Sequence, residues 1–152
     1  MKNFLFAFLF FALGALFVSE ANAQTVGGSL KTAIKGKTVR GYVVLSIPKG
    51  LHVNSYRPKS EYAIPTRMNV SAVGAKAFGV TYPPGKMRTF SFSKTPISVY
   101  EGRAVFGFKL TVPKTYRRRY VTVKAKVRYQ ACTDEVCYAP KTKVVNLRAR
   151  VR

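Results

Sequence analysis

YVTVKAKVR, residues 120–128, decides the fold. Val121, Val123, Ala125 and Val127 fall on one side of the chain, and Thr122, Lys124, Lys126 and Arg128 on the other. A period of two residues marks a strand with one face in a core and one in water. KVVNLRARVR, residues 143–152, repeats the pattern: Val145, Leu147, Ala149 and Val151 oppose Asn146, Arg148, Arg150 and Arg152. AVFGFKLTV, residues 104–112, alternates in the same way. Weaker strand candidates cover 39–47, 68–73, 78–82 and 89–92. Turn residues separate them: Pro48-Lys49-Gly50, Pro58, Pro65, Pro83-Pro84-Gly85, Pro96, Gly102 and Pro113. After residue 23 no stretch shows a helical period. Short strands about ten residues apart, divided by Pro and Gly, predict an all-β sandwich.

The composition narrows the chemistry. The chain has 152 residues, with 27 Lys and Arg against 5 Asp and Glu, one His, and a formal charge of +22. Hydrophobic residues make up 47%, too many for a disordered polycation. A catalytic triad or a His-rich metal site has almost nothing to draw on, and no cofactor is expected.

The first 23 residues read as a secretory signal peptide. Lys2 is followed by an apolar run from Phe4 to Val18 and then by Ser19-Glu20-Ala21-Asn22-Ala23, with Ala at both small positions of a cleavage site. As a helix that run rises about 22 Å, short of a bilayer core about 30 Å thick. Lys2 and Glu20 leave together, so residues 24–152 keep the charge of +22. They form one expected domain, exported to the periplasm or secreted, with no later segment that spans a membrane.

Cys132 and Cys137 bracket Thr133-Asp134-Glu135-Val136 between the two clearest strands. An exported pair can oxidise. One reading is a structural staple, although a loop of about six residues gains only about 2 kcal/mol in the chain-entropy model. The other is a reactive pair displayed on a rigid hairpin. Zinc is a poor third, since it takes about four ligands and only one distant His is available. Spacing alone leaves the first two open. Asp134 and Glu135 disfavour a thiolate, and the flanking basic strands favour one.

YQACTDEVCYAPKTKVV, residues 129–145, resembles the cysteine hairpin of the N-terminal periplasmic domain of the thiol:disulfide interchange protein DsbD. GLHVNSYRPKSEYAIPTRM, residues 50–68, is similar to a second segment of that family. Tyr82-Pro83-Pro84-Gly85 and Val99-Tyr100-Glu101-Gly102 are similar to two of its turns. The resemblance covers about residues 28–150. It implies an immunoglobulin-like β-sandwich and a reversible Cys132–Cys137 disulfide. It also implies exchange of electrons with thioredoxin-like or other extracytoplasmic redox proteins, through mixed disulfides. The family shields its cysteines with an aromatic cap loop, and Phe90-Ser91-Phe92-Ser93-Lys94 is the matching stretch. Phe90 or Phe92 is then the lid, or both are ordinary core aromatics. Tyr129 and Tyr138 flank the cysteines and are expected to pack around them. The chain departs from the family in its four-residue cysteine loop, in its charge, and in carrying neither the membrane nor the thioredoxin-like domain, so an electron donor is expected to be a separate protein.

Lys124, Lys126, Arg128, Arg148 and Arg150, with Arg117, Arg118 and Arg119 ahead of them, form an expected basic face. If the two strands pair, like charges are expected to lie across from one another, at a cost. The face is either solvated surface or a site for anionic polymers or lipids. No recognition helix or stacking motif points to sequence-specific nucleic acid. The alternative function is therefore a non-catalytic basic binding module whose disulfide is structural. His52 can serve thiol chemistry as a base, but a lone His beside a strand end reads more simply as a structural residue.

Overall fold

The computed structural model describes residues 24–152, and the expected signal peptide lies outside the described residues. Eleven strands follow in order among those residues: β1 (Thr25–Leu30), β2 (Thr38–Ser46), β3 (His52–Asn54), β4 (Arg67–Ala72), β5 (Lys76–Thr81), β6 (Lys86–Arg88), β7 (Ile97–Tyr100), β8 (Arg103–Thr111), β9 (Tyr120–Tyr129), β10 (Ala131–Cys132) and β11 (Lys141–Arg150). No helix occurs among the described residues.

Three antiparallel sheets form, ordered β1-β2-β8-β5, β11-β9-β4 and β10-β3-β7-β6. The first two face each other as a sandwich. Val43 and Leu45 of β2 and Phe106, Phe108 and Leu110 of β8 share one core with Val121, Val123, Ala125 and Val127 of β9 and with Leu147 and Ala149 of β11. Every second residue of β9 is buried, as its sequence pattern predicts. Gly41 is needed where it stands, because a Cβ there would lie 2.3 Å from Cζ of Phe108. The segment 33–35 stitches the sandwich edge: Ala33 bonds to Arg150 and Arg152, and Gly36 N donates to Val112 O.

The third sheet is small and carries the cysteines. It hangs from the end of β9, where Gln130 leads directly into β10. Its strands are short and several are buried on both faces.

Two expectations are corrected. Residues 89–92 are not a strand: β6 ends at Arg88, and Ser93 N donates to Phe90 O at 3.1 Å to close a turn. Phe90, at the start of that turn, is buried and stacked on His52. Nor do the basic residues of β9 and β11 oppose each other. The register sets Lys124 between Ser71 and Asn146, and Lys126 between Asn69 and Val144. Arg148 opposes Thr122 and Arg150 opposes Tyr120. These two arginines of β11 meet the start of β9, where the residues opposite them are neutral. Arg128 opposite Arg67 is the like-charge pair of this face.

Candidate functional site

The cysteine hairpin is held by its backbone and by one threonine. Thr133 N donates to Val136 O at 2.8 Å, and Tyr138 N to Ala131 O at 2.9 Å. The Thr133 hydroxyl accepts from Val136 N at 3.0 Å and from Glu135 N at 3.2 Å. A small polar side chain at the start of a turn does this well. Cys132 and Cys137 are joined by a disulfide.

The two cysteines sit at different depths. Cys132 lies on β10, paired with β3, and is 0% exposed. Cys137 lies past the turn and is exposed. Beside Cys137 is a cleft of about 210 Å³, lined also by Asn54, Ser60, Tyr62, Ala63, Phe92, Ser93, Ile97 and Gln130. A second cleft of about 380 Å³ is lined by half-exposed Tyr138 and by Ala131, Thr133, Lys49 and Lys141.

A stack of three rings stands against the hairpin. His52, opposite Cys132, is stacked on Phe90 with centroids 4.4 Å apart. Phe90 is stacked in turn on Phe92 at 5.2 Å. Phe90 is 4% exposed and Phe92 47%. The inner ring is a core aromatic of a small cluster with Ile97 and Val99, while the outer ring borders the cleft at Cys137.

Arg88 ties this stack to the cysteine loop. Its guanidinium lies 5.7 Å from the Phe90 centroid, pairs with Glu101, and reaches Asp134 at 3.7 Å. Burial holds the His52 imidazole below its ordinary value of 6.5. Asp134 and Glu101 pull it back up, and Arg88 pushes it further down.

Of the expected residues, the structure gathers Cys132, Cys137, Phe90, Phe92 and Tyr138 around the hairpin. Tyr129 is in the main core, fully buried, with its hydroxyl 3.3 Å from Gln24 Oε1. Arg128 is at the cysteine end of β9. Arg117, Arg118 and Arg119 are exposed at the opposite end, roughly 30 Å away at about 3.4 Å per strand residue. Gln130 and Arg88 were not anticipated. Gln130 stands directly before the cysteine strand, in the Tyr-Gln lead-in, and that position was the available signal. Among the described residues, no group of three or more His, Cys, Asp or Glu is placed to hold a metal ion. No helix there is long and apolar enough to cross a membrane.

An immunoglobulin-like β-sandwich with a cysteine pair on a hairpin, set against an aromatic stack, defines a domain of the thiol–disulfide interchange class. Residues 24–149 match the family described as thiol:disulfide interchange protein DsbD, N-terminal, and the chain belongs to that family. Two solved structures share the fold. One is the DsbD N-terminal domain of Neisseria meningitidis in the reduced form, with 17% identity, a TM-score of 0.50, and coverage of 81% of this chain and 84% of that one. The other is the N-terminal periplasmic domain of ScsB from Proteus mirabilis, with 13% identity, a TM-score of 0.59, and coverage of 88% of this chain. This chain spans about half the length of the ScsB structure, 49%. No curated protein matches the chain.

Proposed function

We propose that this protein is an exported thiol–disulfide interchange protein working outside the cytoplasm through a reversible Cys132–Cys137 disulfide. One observation carries the reading: within a single hairpin, one cysteine is exposed, beside a cleft, and the other fully buried. A staple needs no such difference. An exchange centre does, because attack requires access to one sulfur and protection of the intermediate from stray thiols.

The chemistry follows from that asymmetry. A partner thiolate attacks Cys137 Sγ. A partner–Cys137 bond forms, the bond to Cys132 breaks, and Cys132 leaves with the electron pair. A second partner thiolate then displaces Cys137, leaving the partner oxidised and this chain reduced. The reverse sequence reduces the partner. Thioredoxin-like proteins, whose two cysteines are separated by two residues, are the partners that family membership supports. Phe92 lines the cleft at Cys137 and in this reading acts as the cap, while Phe90, stacked on it, anchors it.

The reduction potential of the pair tests the proposal. Values near −200 mV are expected, and a value below about −300 mV marks an inert bridge and removes it.

A second reading rests on the outer face of the β11-β9-β4 sheet. Lys124, Lys126, Arg128, Arg148 and Arg150 are exposed there, and no acid stands opposite any of them in the ladders. That face suits anionic polymers or lipids. Retention on an anionic resin past several hundred millimolar salt is the expected sign, and easy elution counts against it.

A further inference from the structure

Cys132 and His52 are directly opposed in the β10–β3 ladder. Opposed residues of an antiparallel pair project from the same side of a sheet, with Cβ atoms about 4.5–5.5 Å apart. Both side chains are buried, Cys132 at 0% and His52 at 3% exposure. His52 is the single histidine of the chain. Phe90 covers one face of its ring. The charged groups acting on the ring are Asp134 in the hairpin, Arg88 on β6 and Glu101 after β7.

Exchange at Cys137 leaves the inner sulfur with a charge problem. A thiolate on Cys132 stands where water does not reach, and burial disfavours that charge. In the other direction, the Cys132 thiol must lose its proton before it can attack. Solvent base has no access to a sulfur with 0% exposure, whereas His52 is the residue opposed to Cys132 on the same side of the ladder.

We infer that His52 carries the proton of Cys132 during exchange, a role that rests on the interchange function proposed above. When the reduced chain meets a disulfide partner, the Cys137 thiolate attacks it. A Cys137–partner bond forms and the partner's first sulfur leaves as a thiolate. An imidazole nitrogen of His52 then takes the proton from Cys132 Sγ. The Cys132 thiolate attacks Cys137 Sγ, the Cys132–Cys137 bond forms, and the partner's second sulfur leaves with the electron pair. The imidazolium passes its proton to that thiolate or to water. Two electrons have moved to the partner. In reverse, the imidazolium protonates Cys132 as it departs. Burial keeps the ring neutral near pH 7, which is the form that accepts a proton.

Glutathione disulfide serves as the probe. The reduced protein is mixed with it, quenched in acid at short times, and the glutathione adduct on Cys137 is followed by mass spectrometry. In the wild type the adduct is expected to be transient. In His52→Phe, which keeps an aromatic ring on Phe90, the adduct is expected to form at the wild-type rate and resolve about 10²-fold more slowly. The wild-type resolution rate is expected to fall as pH drops through the His52 titration, and both His52→Phe and His52→Gln to lose that acid limb. The smaller polar Gln guards against misfolding of the first variant. Resolution within twofold of wild type in a folded variant, with the acid limb intact, overturns the role of His52. A wild type that forms no adduct at all overturns the interchange function itself.

Discussion

The side-chain amides of Asn54 and Gln130 are hydrogen-bonded, Nδ2 to Oε1 at 3.1 Å. Asn54 also donates to Ile64 O at 3.1 Å, and Gln130 Nε2 donates to Tyr138 O at 3.2 Å. One amide pair therefore fastens the 60s loop to the return arm of the cysteine hairpin, next to Cys137. Gln130→Ala removes the bonds to Asn54 Nδ2, Ile64 N and Tyr138 O, at a cost of about 1–3 kcal/mol, since buried Asn54 loses a partner. The urea midpoint is expected to fall with an unchanged slope. An unmoved midpoint contradicts the clamp.

Phe90 and Phe92 are expected to separate cleanly on mutation. Phe90→Ala empties a buried site, and large-to-small changes of that kind cost about 3–5 kcal/mol. Phe92→Ala removes a half-exposed ring at the cleft and costs far less. It is expected to speed reduction of the disulfide by dithiothreitol severalfold. Equal reduction rates in Phe92→Ala and wild type leave the ring without a capping role.

Arg67 and Arg128 face each other across β4 and β9. Arg67 is committed: its guanidinium lies 4.1 Å from the Tyr56 ring centroid and donates to Tyr56 O at 2.6 Å. Arg128 carries the repulsion. Arg128→Gln is expected to stabilise the fold by about 0.2–1 kcal/mol at low salt. The gain is expected to shrink near 1 M salt, where the screening length is about 3 Å. Urea melts at both salt levels decide it, and a destabilised variant at low salt contradicts the account.

Stability is expected to depend on pH at both ends. His52 titrates below 6.5 in the folded chain, so the unfolded chain binds more protons in between. Stability is then full above about pH 6.5 and falls as pH drops toward the folded value. Tyr100 and Tyr129 are held above their ordinary 10.0, by burial in both cases. Their contribution is present below about pH 10 and is lost as pH rises through the folded values. Urea midpoints from pH 5 to 11 measure both arms. His52→Phe is expected to flatten the acid arm alone, and an unaltered acid arm in that variant assigns the loss to another group.

The sandwich was legible where strands have one wet face. The alternation along β8, β9 and β11 shows through because every second residue meets water. The small sheet was not legible for the opposite reason. Ile97–Tyr100 and His52–Asn54 are buried at every position, so no period of two can appear. β1 hid behind Gly27 and Gly28, poor strand formers, although a Cβ on Gly28 would lie 2.4 Å from Tyr42 O. The charge clash expected between β9 and β11 depended on register, and alternation says which face a residue takes but not which neighbour it meets. The cysteines were visible at once. Their difference in depth was not, since it arises from β3 and β10, two strands of three and two residues.

That difference gives a symmetric bond a direction. The chemistry of the two sulfurs is identical, so any preference between them comes from the surrounding protein. Under the proposed function, a chain keeping Cys137 alone is a baited hook: it is expected to capture a partner and has no second thiol to let it go. A chain keeping Cys132 alone is blind to the same partner. Which neighbours this protein meets can thus be read from a single substitution, by comparing what each half of the pair holds covalently.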